Sequence, residues 1–98
     1  DVTLTFVGVP SATSLVVEAA FKFGTAFNLL KYTGADNPVG DWTLTNTTLG
    51  LPVVIDTVTE NPDGTYTLAY SAGVTAADSI KLTVAKIGFD GEATAVTA

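Results

Sequence analysis

Apolar and polar residues alternate along most of this chain, and the alternation has the period of a strand. In the segment 2–9, Leu4 and Phe6 share one face and Thr3 and Thr5 the other, and Pro10 ends the run. Next, Leu15, Val17, Ala19, Phe21 and Phe23 alternate with Val16, Glu18, Ala20 and Lys22. A helix starting near Ser11 or Ser14 is the rival for this stretch, but its apolar stripe is poorer than the alternation, so a long second strand is predicted. After Gly24, Thr25 to Tyr32 reads as a third strand, burying either Phe27 and Leu29 or Leu30 and Tyr32.

The stretch from Thr33 to Gly40, with two glycines, a proline and adjacent Asp36 and Asn37, reads as a loop. Trp42 and Leu44 alternate with Thr43 and Thr45 in a fourth strand, and Asn46 to Gly50 reads as a turn. Val53, Ile55 and Thr57 against Val54, Asp56 and Val58 predict a fifth. Asn61-Pro62-Asp63-Gly64 is the strongest local signal, because Asp-Gly supplies the positive φ a tight hairpin needs. Tyr66, Leu68 and Tyr70 then face one way. Ser71 to Asp78 is a connection, Ile80, Leu82 and Val84 mark a seventh strand, and Gly88 to Gly91 turns into a last strand, Glu92 to Thr97. Seven or eight short antiparallel strands with regularly spaced turns predict an all-β sandwich of immunoglobulin type.

Composition narrows the class of function. The 98 residues suit one domain, 1–98. There is no Cys or His, which removes disulfides, Cys–His zinc sites and Ser-His-Asp triads. Four Lys and no Arg against ten acids give a net charge of −6, the opposite of a nucleic-acid footprint. No apolar run reaches the ~18 residues of a membrane-spanning helix. Seventeen Thr and twelve Val suit a pleated surface, and Thr occupies solvent-facing positions that Lys and Glu fill in cytosolic domains. Such a composition is common in secreted bacterial and phage surface modules. A chain that begins at Asp1 and lacks Met reads as a domain excised from a larger protein or as a processed product.

Asp63-Gly-Thr-Tyr-Thr-Leu-Ala-Tyr70, followed by Val74-Thr-Ala-Ala-Asp-Ser-Ile-Lys-Leu-Thr-Val84, resembles the C-terminal half of bacterial immunoglobulin-like domains over about Val53 to Gly91. The first half matches only as alternating strands. The resemblance implies a module of an adhesin, surface-layer protein, phage tail or polysaccharide-degrading enzyme. It also implies that Tyr66 is a corner tyrosine, its ring buried and its hydroxyl bonded to nearby backbone.

Few residues could carry chemistry. Asp36, Asn37 and Asp41 offer oxygen ligands that suit calcium, without the spacing of a known calcium loop; such residues also cap turns. Asp63, Asp78 and Asp90 form a second possible cluster at the sandwich ends. A glycosidase would need a carboxyl of raised pKa beside a sugar-sized cleft; carboxylates in turns are expected to be solvated and unperturbed. Lys22, Lys31 and Lys81 alternate against apolar neighbours and should point outward, which argues against an isopeptide crosslink. Tyr32, Trp42 and Tyr70 are the aromatics a carbohydrate platform would use, yet Trp42 is in phase with Leu44, and Tyr70 with Tyr66 and Leu68, as core residues would be. Phe89 reads as a turn aromatic, and the glycosylation sequon Asn46-Thr47-Thr48 as an ordinary turn. No catalytic residue and no cofactor are expected. The reading is a non-catalytic extracellular structural, spacer or adhesion module, its partners neighbouring domains, a polysaccharide or another surface protein. A carbohydrate-binding or accessory module of a secreted polysaccharide-degrading enzyme is the alternative.

Overall fold

The computed structural model describes residues 2–21, 38–86 and 89–98. The third predicted strand, Thr25 to Tyr32, lies outside them, as do Lys22, Lys31, Tyr32, Asp36 and Asn37.

Among the described residues, eight strands form two four-stranded antiparallel sheets packed as a sandwich. They are β1 (Val2–Phe6), β2 (Ser14–Phe21), β3 (Trp42–Asn46), β4 (Leu51–Val53), β5 (Thr57–Glu60), β6 (Thr65–Ala69), β7 (Ser79–Lys86) and β8 (Phe89–Val96). A 3-10 turn, Pro38–Asp41, leads into β3. One sheet has the order β1-β2-β6-β5 and the other β4-β3-β7-β8. That is the strand order of an immunoglobulin-type sandwich with one strand added beside the third.

The alternation decides which face of each strand is buried. Leu4, Leu15, Val17, Ala19, Tyr66 and Leu68 of the first sheet meet Trp42, Leu44, Ile80, Leu82 and Val84 of the second in one core. Thr3, Thr5, Glu18, Thr43 and Lys81 face solvent. The segment from Ser14 is therefore a strand and not the rival helix. The Tyr66 ring lies against Trp42 with centroids 5.5 Å apart at 45°, a tilted arrangement that aromatic quadrupoles favour.

Three boundaries differ from the sequence reading. The fifth predicted strand is two strands in different sheets. Val53 ends β4, residues 54–56 cross between the layers, and Asp56 N–H bonds to the Ala69 carbonyl at 2.8 Å to start β5. Val53 and Ile55 are both buried, so the alternation runs unbroken through the crossing while the hydrogen-bond partner changes; the phase fails only at Thr57, which is exposed. The last strand begins at Phe89 and not at Glu92, because β7 and β8 pair along eight positions, from Lys86–Phe89 to Ser79–Val96. The first strand stops at Phe6, short of Pro10.

The predicted hairpin at Asn61 to Gly64 forms. Gly64 has φ +88° and its N–H reaches the Asn61 carbonyl at 3.2 Å. Asp63 Oδ1 accepts from the Thr65 hydroxyl at 2.6 Å and the Thr65 N–H at 3.1 Å.

The register defines two poles. At one lie the start of β1, the Asn61–Gly64 turn and the β7–β8 connection. At the other lie the β1–β2 connection, the β3–β4 turn, the β6–β7 connection and the end of β8. They are called here the amino-terminal and carboxy-terminal poles. β1 and β8 lie side by side and run the same way, and Ala98 N–H bonds to the Pro10 carbonyl at 2.9 Å.

Trp42 is 4% exposed. Its emission should be blue-shifted in the native state and move to the red on unfolding. Trp42→Ala should cost about 3–5 kcal/mol in chemical denaturation; a loss below about 1 kcal/mol would contradict this packing.

Candidate functional site

The most developed polar arrangement among the described residues sits at the carboxy-terminal pole, where it is buried. Period 2 carries the inward phase of β3 from Trp42 through Leu44 to Asn46, so a polar side chain is delivered to a core position and is fully buried. A buried carboxamide is costly unless its donors and acceptor are used. Here all are. Asn46 Nδ2 donates to the Gly73 carbonyl at 2.9 Å and to Asp78 Oδ2 at 2.8 Å, and Asn46 Oδ1 accepts from Leu49 N–H at 3.1 Å.

Asp78 is the other half. It is 8% exposed, and Oδ2 also accepts from Thr75 N–H at 2.9 Å and from the Thr75 hydroxyl at 3.0 Å. These bonds favour the ionised form and hold its carboxyl below the ordinary 3.8, the Thr75 N–H acting most strongly and burial opposing. The backbone carbonyl of Asp78 accepts from Thr97 N–H at 2.8 Å and the Thr97 hydroxyl at 2.6 Å, while Ala77 N–H bonds to the Thr97 carbonyl at 3.0 Å. Ala77 adopts φ +68° to make this turn, a left-handed conformation unusual for a residue with a Cβ. One network thus joins the β3–β4 turn, the β6–β7 connection and the end of β8.

Tyr70 ties in the fourth segment of this pole. Its ring is 2% exposed and its hydroxyl donates to the carbonyls of Ser11 at 2.6 Å and Ser14 at 3.1 Å. Burial raises the phenol above its ordinary value of 10.0. The corner-tyrosine role expected at Tyr66 is corrected here. Tyr66 is buried, and its hydroxyl donates to the Glu60 carboxylate directly across the β5–β6 pair. Among the described residues Tyr70 reaches backbone across a connection, at Ser11 and Ser14.

The other candidates are dispersed. Asp63 and Asp90 lie toward the amino-terminal pole and Asp78 at the opposite one, so the three do not meet. Asp41 ends the 3-10 turn, half-buried. Among the described residues no three acids come together as a metal site. The expectation of solvated, unperturbed carboxylates fails for Asp78, and also for Asp63, whose carboxyl is held below 3.8 chiefly by the Thr65 hydroxyl and then by the Thr65 N–H. Trp42 and Tyr70 present no face to solvent, which a sugar platform requires. Asn46 is a buried strand end and not a surface turn, so its sequon nitrogen is out of reach of a glycosylating enzyme. Lys81 is exposed and pairs with Glu92 at 2.9 Å. Phe89 belongs to β8. An open groove of about 590 Å³ on the outer side of β7 and β8 is lined by Lys81, Thr83, Ala85, Asp90, Gly91 and Glu92 among others, with no aromatic ring in its lining.

Sequence reasoning missed Asn46 and Asp78 as a pair. The available signal was the phase of Asn46 with Trp42 and Leu44, which marks it as inward. No protein-family profile matches the chain, and no curated protein does.

Asn46→Ala takes a donor from the Asp78 carboxylate and from the Gly73 carbonyl and leaves Leu49 N–H without its acceptor, and should lower stability by roughly 2–4 kcal/mol in chemical denaturation. A cost under ~1 kcal/mol would mean that water replaces the amide. Acid gives a second test. A folded-state pKa below the unfolded value makes stability fully present above about pH 4 and lost as pH falls through the folded value. The melting temperature should therefore be flat above pH 5 and drop below pH 4, with a shallower acid limb in Asp78→Asn. An unchanged limb would remove Asp78 from the account.

Proposed function

We propose that this chain is a non-catalytic extracellular structural or adhesion module of a bacterial or phage surface protein, related to bacterial immunoglobulin-like domains, that holds neighbouring domains apart. The observation that carries the reading is the path of the chain. It enters at one pole with Val2 and leaves at the other with Ala98. Both terminal strands run the length of the sandwich, β1 paired along β2 and β8 along β7. Tension between the ends therefore loads each ladder lengthwise, so several hydrogen bonds must fail together rather than one at a time. Ala98 and Thr97 are further tied to Pro10, Ala77 and Asp78.

The chemistry of the carboxylates supports the same reading. Among the described residues, the carboxylates whose pKa values are displaced, Asp63 and Asp78, are both held low. Such groups suit hydrogen-bond acceptors in a rigid frame, whereas a glycosidase acid needs its pKa raised. The Thr-rich outer faces, with few charges, fit the extracellular setting.

Single-molecule stretching between the termini tests the mechanical role. The chain should resist to one resolved force peak and lengthen in one step of about 300 Å, the extended span of 98 residues less the folded length. Extension without a resolved peak, or in several low-force steps, would sink the spacer reading.

A further inference from the structure

The chain has no Cys, Met or His, so its single Trp and three Tyr are its readily oxidised side chains. Two of them meet in the core. Trp42 is 4% exposed, Tyr66 is fully buried, and their ring centroids lie 5.5 Å apart. That separation belongs to touching aromatic pairs, and rings in contact can exchange an electron directly. The Tyr66 hydroxyl donates to the Glu60 carboxylate, its neighbour across the β5–β6 ladder. Glu60 is half-buried, and β5 is the outermost strand of its sheet among the described residues. An indole, a phenol and a proton acceptor thus lie in series from the core to a sheet edge.

That order matters because a phenol gives up an electron readily only when its proton leaves as well. A base must lie within hydrogen-bond reach to take the proton. Tyr66 has such a base in Glu60. The hydroxyl of Tyr70, equally buried, donates instead to the carbonyls of Ser11 and Ser14. Those oxygens accept a hydrogen bond but do not take a proton. The two buried tyrosines therefore differ in kind.

We propose that Trp42, Tyr66 and Glu60 form a relay that carries a one-electron oxidation out of the core, with Tyr66 as the residue where the radical comes to rest. A one-electron oxidant, such as a small inorganic radical, takes an electron from Trp42 and leaves the indole radical cation. One electron then passes from the Tyr66 ring to Trp42, and the Tyr66 hydroxyl proton moves to Glu60 Oε2. The O–H bond of Tyr66 breaks and an O–H bond forms on Glu60. Trp42 is restored, Tyr66 becomes a neutral phenoxyl radical, and Glu60 becomes a neutral acid. The step replaces a buried cation and a carboxylate by two neutral groups, which a low-dielectric interior favours. A hydrogen-atom donor such as an enediol then returns Tyr66 to its resting state, and Glu60 passes its proton to water. The relay spares Trp42, whose ring joins the two sheets, and it is independent of the mechanical role.

Flash photolysis of the 98-residue chain tests this. Excitation at the red edge of indole absorption, with hexaamminecobalt(III) as the electron acceptor, oxidises Trp42 alone. The indole radical should decay at the rate at which a tyrosyl radical appears, and more slowly in heavy water, because a proton moves in the same step. Tyr66→Phe should remove the tyrosyl signal. Glu60→Gln keeps an acceptor oxygen that no longer takes the proton; it should slow the transfer about tenfold or more and abolish the heavy-water effect. Tyr70→Phe should transfer as the unsubstituted chain does. Each variant is compared at unchanged circular dichroism and blue-shifted Trp42 emission. An indole radical that persists in the unsubstituted chain would overturn the proposal. A tyrosyl radical that survives in Tyr66→Phe, or a rate that Glu60→Gln leaves unchanged, would overturn it too.

Discussion

The hydrogen bond between Asn46 and Asp78 is the constraint on which one pole of this protein depends. Two polar side chains are taken out of water together, and the arrangement holds because every strong donor and acceptor of the amide is used. Neither could be buried alone at tolerable cost. Because the bonds cross sequence separations of 27 and 32 residues, they fix how the β3–β4 turn meets the β6–β7 connection, and through the Asp78 carbonyl they fix the last strand. A hydrophobic contact at this place would be less directional and would leave the turns free to shift.

The rest of the sandwich is held by apolar burial, with tyrosines as intermediaries. Trp42 and Tyr66 join the two sheets near mid-core, and Tyr70 spans from the core to the β1–β2 connection. Each phenol keeps its ring in the interior and its hydroxyl on a partner, so aromatic volume is gained without an unsatisfied group.

The functional reading grows from the same geometry. Placing the ends at opposite poles makes the ladders the force path, and spending the buried carboxylate on structure removes it from chemistry. Consuming Asp78 internally leaves exposed Asp56 as the carboxylate nearest the surface of the carboxy-terminal pole among the described residues. One hydrogen-bond network therefore joins the connections of that pole and turns its buried carboxylate inward.

The alternation of the sequence determined the all-β class, the inward faces of most strands and the burial of Trp42 and Tyr70, and the Asp63-Gly64 pair determined the Asn61–Gly64 hairpin. These are local properties, since the two faces of a strand follow from its own residues. The tertiary structure alone decided where Val53 and Thr57 part into different sheets, because burial continued through residues 54–56 and only the hydrogen-bonding partner changed. It alone decided that Tyr66 meets Glu60 while Tyr70 reaches the backbone, since that depends on which strand lies opposite. Asn46 was visible as an inward residue, but its partner was not: Asp78 lies far along the chain, and no local pattern encodes which buried acceptor a buried amide will meet.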